Sequence, residues 1–136
     1  MECIFCQIVA GEIPCFKVYE DEAALAFMDI NPASEGHLLV LPKTHFVNLF
    51  DGDDAALASV IVATRKVAQA MKTALGIDAL NLLQANGQWA LQSVEHFHIH
   101  LIPRRENDGL GLEWPLAPGD RKAIKAAGES IASAIS

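Results

Sequence analysis

Basic residues, aromatic rings, cysteines and long apolar runs are all scarce in this chain, and each scarcity excludes something. Lys and Arg number 10 against 17 Asp and Glu, a net charge of −7. That balance argues against a broad surface for nucleic acid or an anionic membrane. An anionic small molecule is left only a locally prepared pocket. No run approaches the roughly 20 apolar residues of a membrane span. Met1-Glu2-Cys3-Ile4-Phe5-Cys6 shows no basic segment followed by an apolar one, so no secretory signal is visible. Three cysteines cannot all pair with one another. Cys3-x-x-Cys6 without an export signal reads as metal ligands or a redox pair, and the expected compartment is the cytoplasm. No linker, repeat or low-complexity stretch divides the 136 residues. One domain over residues 1–136 is expected, long enough to bury a core without disulfides.

What is present is 51% hydrophobic and 20% charged, ordinary for a globular chain. Residues 3–10 suit a short helix closed by Gly11. Phe16–Tyr19 and Ala24–Met28 read as strands around Glu20-Asp21-Glu22, and Asn31-Pro32 breaks the second. His37–Leu41 is a third strand, stopped by Pro42. Leu57, Val60, Ile61, Thr64, Val67, Ala68, Met71 and Leu75 follow helical spacing, with Asp53 as N-cap and Gly76 as the stop. Leu80–Gln84 is a fourth strand. The histidine segment through Ile102 is a fifth, ended by Pro103. A last helix starts near Asp120, with Ile124, Gly128, Ile131 and Ile135 on one face. Strands on either side of one long helix, not alternating with helices, predict an α+β fold with a five-stranded antiparallel sheet.

In His96-Phe97-His98-Ile99-His100 the strand period puts the three imidazoles on one face and Phe97, Ile99 and Leu101 on the other. A solvated strand face draws on Thr, Lys and Glu as readily as on His, so three of the chain's five histidines at alternate positions point to chemistry. Two kinds fit. A neutral imidazole is a nucleophile that can displace a leaving group from phosphorus. Alternatively, three histidines can hold a catalytic zinc. Cys3 and Cys6 need two further ligands for a closed tetrahedral site, and His45 with one histidine of the cluster would complete it. Asn86, Gln92 and Ser93 flank the histidine segment as donors for phosphate oxygens or a leaving group. Asp29, at a strand end, can accept from ribose hydroxyls, and Arg104 and Arg105 can steer phosphates.

These residues resemble the histidine triad (HIT) family, in which three histidines alternate with apolar residues and two more apolar residues follow. His96 through Ile102 fits every position. The likeness extends to Cys3–Cys6, Gly11–Pro14, Phe27–Pro32, Gly36–Lys43 and Ile102–Arg104, so it covers the core 1–105 and leaves the segment 106–136 and its terminal helix less diagnostic. The resemblance implies a homodimer whose sheets join into one larger sheet, in the nucleotide-binding branch. It implies cleavage of purine nucleoside 5′-phosphoramidates or related adenylates, with AMP or an AMP conjugate as the partner. Dinucleoside polyphosphate hydrolysis and a non-catalytic nucleotide-binding adaptor are the other functions it allows. By position, His98 would be the nucleophile, His100 a phosphate contact and His37 a support for the triad's hydrogen bonds. Asn86, Gln92 and Ser93 would surround the phosphate and leaving group. Asp29 would hold the ribose, with Ile30 beside the base. One structural zinc per chain would sit on Cys3, Cys6, His45 and His96. Two departures stand out. Leu91 occupies a place where many relatives have Gly, and Glu95 one where many have an apolar or aromatic residue.

Overall fold

The structure, a computed structural model, describes residues 2–135. Its elements are α1 (Ile4–Val9), β1 (Lys17–Glu20), β2 (Ala24–Met28), β3 (Leu38–Pro42), α2 (Asp54–Leu75), β4 (Ala79–Leu83), β5 (Ile99–Arg104) and α3 (Arg121–Ala134), with a 3₁₀ turn at Gln88–Ala90. The five strands form one antiparallel sheet in the order β1-β2-β3-β5-β4, as the α+β reading expects.

Period-two alternation sorts the sheet's side chains into two apolar layers. Ala24 and Ala26 of β2, Leu38 and Val40 of β3, and Ile99 and Leu101 of β5 pack under α2 against Val60, Ala63, Val67 and Met71. Their neighbours Leu25, Phe27, Leu39 and Leu41 face the other way, against Cys3 and Phe5. β2 and β3 are thus buried on both sides, which is why they read as unbroken apolar runs. α2 begins where the Asp53 carboxylate accepts from the Ala56 N–H at 3.0 Å and stops at Gly76, whose φ of +63° suits a residue without Cβ.

The histidine strand differs from expectation at both ends. β5 starts at Ile99, not His96, because residues 93–98 have no strand beside them; Phe97 N–H instead donates to the Phe46 carbonyl at 2.9 Å. It also runs through Pro103, which pairs with Leu80 of β4. The missing N–H is tolerated because β3, whose first residue Leu38 lies opposite Leu101, gives Pro103 no strand partner on that side; the Pro103 carbonyl accepts from the Ser34 hydroxyl at 2.7 Å instead. Pro42 likewise closes β3 from within. No helix among the described residues is long and apolar enough to cross a membrane.

Gly36, just before the buried His37, has φ +94°, and a Cβ there would lie 2.6 Å from Leu75 Cδ1 and 3.2 Å from Pro103 Cγ. Gly36→Ala should therefore destabilise the fold by about 1–3 kcal/mol, read as a lower urea midpoint with an unchanged m-value.

Candidate active site

The face of the sheet opposite α2 carries the histidines, since residues 97, 99 and 101 are taken by the core. Phe5 of α1 fixes the first two by edge contacts, its ring centroid 5.9 Å from His96 and 5.1 Å from His98. The three imidazoles do not converge on one point. His96 turns towards the two cysteines, while His98 and His100 line a cavity of about 370 Å³. That separates the two chemistries the alternating histidines left open: a single three-histidine metal centre does not form.

Backbone hydrogen bonds determine which nitrogen of each ring carries its proton. His96 Nε2 donates to the Pro42 carbonyl at 2.7 Å, so Nδ1 presents a lone pair to Cys3 Sγ at 3.5 Å, Cys6 Sγ at 3.6 Å and His45 Nδ1 at 3.1 Å. His45 Nδ1 in turn lies 3.3 Å from Cys6 Sγ. All four ligand atoms fall within 4.8 Å of one another. A tetrahedron with zinc-type bond lengths has sulfur–nitrogen edges of about 3.5 Å, so these residues fit a metal ion. Burial pushes the His96 pKa down, which keeps it in the neutral, ligating form.

His98 Nδ1 donates to the His96 carbonyl at 2.7 Å, leaving Nε2 as the free lone pair of the neutral ring. Burial lowers its pKa, overriding the opposing effects of that hydrogen bond and of Asp29. The third ring is wired from the far side of the site. Ala33 N–H donates to His37 Nδ1 at 2.9 Å, so the proton of neutral His37 sits on Nε2 and donates to His100 Nδ1 at 2.9 Å. His100 is then left with its proton on Nε2. Its pKa is lowered to about 4, by burial first and then by the neighbouring His98 and His37, against the pull of Asp29. Asp29, His37 and His100 also sit close enough to suggest a second metal site. Both nitrogens of His37 are already committed, however, and the cluster reads better as a hydrogen-bonded relay.

Asp29 Oδ1 accepts from Asn31 N–H at 2.8 Å, and Oδ2 lies 3.4 Å from His37 Nε2. Asp29 and Ile30 line the same cavity as His98, His100 and Ser93. Ser93 and Val94 also border a neighbouring cavity of about 330 Å³, beside Glu2, His45 and Glu95. Asn86 and Gln92 are placed differently. The Asn86 carboxamide accepts from Leu49 N–H at 2.7 Å and pairs with Gln84. Gln92 accepts from Gly87 N–H at 2.8 Å and donates to the Val47 and Val94 carbonyls. Both tie loops together, and neither lines the cavity. Arg104 is held by Asp108, Asn81 and the Leu110 carbonyl, so it anchors a loop where the sequence suggested a phosphate guide; Arg105 donates to the Glu35 carbonyl. Leu91 takes φ +64° without being glycine. Residues the sequence did not single out include Phe5, Ile13, Cys15 and Phe16 on the cavity wall. Phe16 and Ile30, both exposed, border this cavity together.

The HIT domain family matches residues 10–107 of the chain. The adenosine 5′-monophosphoramidase hnt1 of Schizosaccharomyces pombe is 45% identical over 136 residues, covering 99% of each chain. The crystal structure of a HIT family member from Bacillus subtilis superposes with a TM-score of 0.93 at 40% identity, covering 100% of this chain and 99% of the other. A zinc-bound histidine triad family protein from Mycobacterium smegmatis is similar at a TM-score of 0.78 and 36% identity, covering 99% of both chains.

If the Cys3, Cys6, His45 and His96 cluster takes an ion, adding one equivalent of zinc to chelator-treated protein should raise its melting temperature. Cys6→Ser should lose both that increment and the bound metal, measured by thermal unfolding with elemental analysis.

Proposed function

The chain belongs to the HIT domain family, and from that premise we propose that it hydrolyses purine nucleoside 5′-phosphoramidates or related adenylates through a nucleotidyl intermediate on His98. The observation that carries the proposal is the His98 tautomer. With Nδ1–H given to the His96 carbonyl, Nε2 is an unprotonated nucleophile on a ring that lines a cavity with Asp29 and His100. The phosphoramidase activity named for the fission-yeast relative is the chemistry such a nucleophile performs.

In the reaction, His98 Nε2 attacks phosphorus, a P–N bond to the ring forms and the bond to the leaving amine breaks. The amine takes up a proton from water as it departs, passed through the hydroxyl of Ser93, which borders both cavities. The ring becomes a phosphorylated imidazolium. Its Nδ1–H bond to the His96 carbonyl strengthens as positive charge develops, which favours the transition state over the ground state. Water then attacks phosphorus, releases the nucleotide and returns the neutral ring. His100 Nε2–H is a donor for a nonbridging phosphate oxygen, and its low pKa keeps that tautomer at neutral pH. We assign Asp29 to the ribose and Ile30, 78% exposed, to the base. Asn86, Gln92 and His37 act by holding the loops and His100.

Zinc is the ion we assign to Cys3, Cys6, His45 and His96, one per chain. Bound there it would join α1 to the segment carrying the nucleophile, and it supplies structure. The working assembly is a homodimer in the cytoplasm. β4 is a free sheet edge with Leu82 and Leu83 about half exposed, and Ile61 and Val62 of α2 are similarly uncovered. Pairing two β4 edges would join the sheets and bury those side chains.

His98→Ala should lower turnover of an adenosine phosphoramidate by several orders of magnitude while AMP affinity, measured by calorimetry, changes little. Mass spectrometry of quenched wild-type reactions should find AMP attached to the peptide holding His98. Near-normal turnover by the variant would sink the covalent mechanism. Light scattering should give the dimer mass at micromolar concentrations; an active monomer there would refute the assembly.

A further inference from the structure

One proton in the site has two acceptors. Ala33 N–H donates to His37 Nδ1 at 2.9 Å, so the neutral ring carries its single proton on Nε2. Burial lowers the His37 pKa and keeps the ring neutral, against the pull of Asp29. From that Nε2 the His100 Nδ1 lone pair lies at 2.9 Å and Asp29 Oδ2 at 3.4 Å. The nitrogen is nearer, but the oxygen carries charge, and a charged acceptor attracts a proton more strongly at a given distance. The His37 proton is therefore divided between the two, and the bond to His100 is weaker than its length alone implies.

The backbone holds the three groups in this competition. Asp29 N–H donates to the His37 carbonyl at 3.1 Å, and His37 N–H to the Ser34 carbonyl at 3.1 Å. Asp29 Oδ1 is committed to Asn31 N–H at 2.8 Å, which leaves Oδ2 turned towards the rings, 3.9 Å from His100 Nδ1. Asp29 and His100 line the cavity with 17 and 20% of their side chains exposed, whereas His37 keeps 6% and lies behind them. A ligand in the cavity reaches the carboxylate and the outer ring, and acts on His37 only through those two.

That arrangement connects two ends of a bound nucleotide. A sugar hydroxyl donating to Oδ2 draws the carboxylate's charge away from His37, and the Nε2 proton then belongs wholly to the bond with His100 Nδ1. Hydrogen bonds in a chain polarise one another, so His100 Nε2–H becomes a stronger donor. We infer that Asp29, His37 and His100 act as a ribose sensor, in which a sugar hydroxyl on Asp29 strengthens the His100 donor at the phosphate. This rests on Asp29 holding the ribose and His100 the phosphate, as proposed above. It adds that the sugar is read in the rate of the chemical step as well as in affinity, which selects ribonucleotides over nucleotides with deoxygenated sugars. His37 is a positioning residue: it touches no substrate and passes the state of the carboxylate to the ring that does.

Adenosine 5′-phosphoramidate and its 2′,3′-dideoxy analogue separate rate from binding under single-turnover conditions. At saturation the dideoxy substrate should react several-fold more slowly on the wild-type chain, beyond any change in KM. His37→Phe should slow the ribose substrate and bring the two rates together. Equal saturated rates on the wild type, or a ratio that His37→Phe leaves unchanged, overturn the inference. A second measurement needs neither turnover nor a variant. In nuclear magnetic resonance spectra of wild-type protein with isotope-labelled histidine, AMP should move the His37 Nε2 proton downfield. It should also enlarge that proton's coupling across the hydrogen bond to His100 Nδ1. Saturating 2′,3′-dideoxy-AMP should do neither. The same response to both nucleotides overturns the sensor and leaves the nucleotide reading in place. AMP that does not bind, or binds without disturbing His98 and His100, removes that reading and the inference with it.

Discussion

Each neutral imidazole has one proton and one lone pair, and in this site the backbone decides where they go. The Pro42 carbonyl takes the Nε2 proton of His96, the His96 carbonyl takes the Nδ1 proton of His98, and Ala33 N–H occupies Nδ1 of His37. Chemically identical side chains thereby present different atoms: His96 its Nδ1 towards the cysteines, His98 a free Nε2, and His37 its Nε2 towards His100. None of these outcomes needs a change of residue type. Each needs a backbone group at hydrogen-bond distance, and the sheet and its adjoining turns hold those groups in place. Burial of the rings works in the same direction, because it keeps them neutral and preserves the distinction between their two nitrogens.

His96 links the two halves of the arrangement. Its side chain belongs to the cysteine cluster, and its carbonyl orients the His98 ring. Phe5 lies between the cysteines in sequence and against both His96 and His98 in space, so α1 braces the site through packing as well as through its thiols. Among the described residues, the carboxylate that lies against His37 and His100 is Asp29.

Much of this was legible in the sequence because it follows from periodicity. Alternation at 96–100 separated imidazoles from core, and the helical spacing between Asp53 and Gly76 placed α2 with its caps. Other features depend on long-range geometry that no local pattern carries. Pro103 lies inside a strand because β3 gives it no partner on that side. Asn86, Gln92 and Arg104 offer polar groups by residue type, and no local pattern shows that their side chains also bond loop carbonyls, amides and Asp108. Leu91 shows the limit from the other direction: nothing local to a leucine signals a positive φ, but the loop holds it at φ +64°, at the cost of about 1–2 kcal/mol for a side chain in that region.

The contact between Cys3 and His96 spans 93 positions of sequence. A ribosome makes the first thiol long before the imidazole it will meet, and everything between must be synthesised before the two can approach. The cysteine pair therefore waits, open to stray ions and oxidants, while β2, β3 and α2 emerge and associate. Contacts of such separation also form slowly once the chain is free, since a long loop must close first. In time, then, the cysteine–histidine cluster cannot exist until residue 96 has been made. No nascent fragment ending before His96 can hold the four residues of the cluster together.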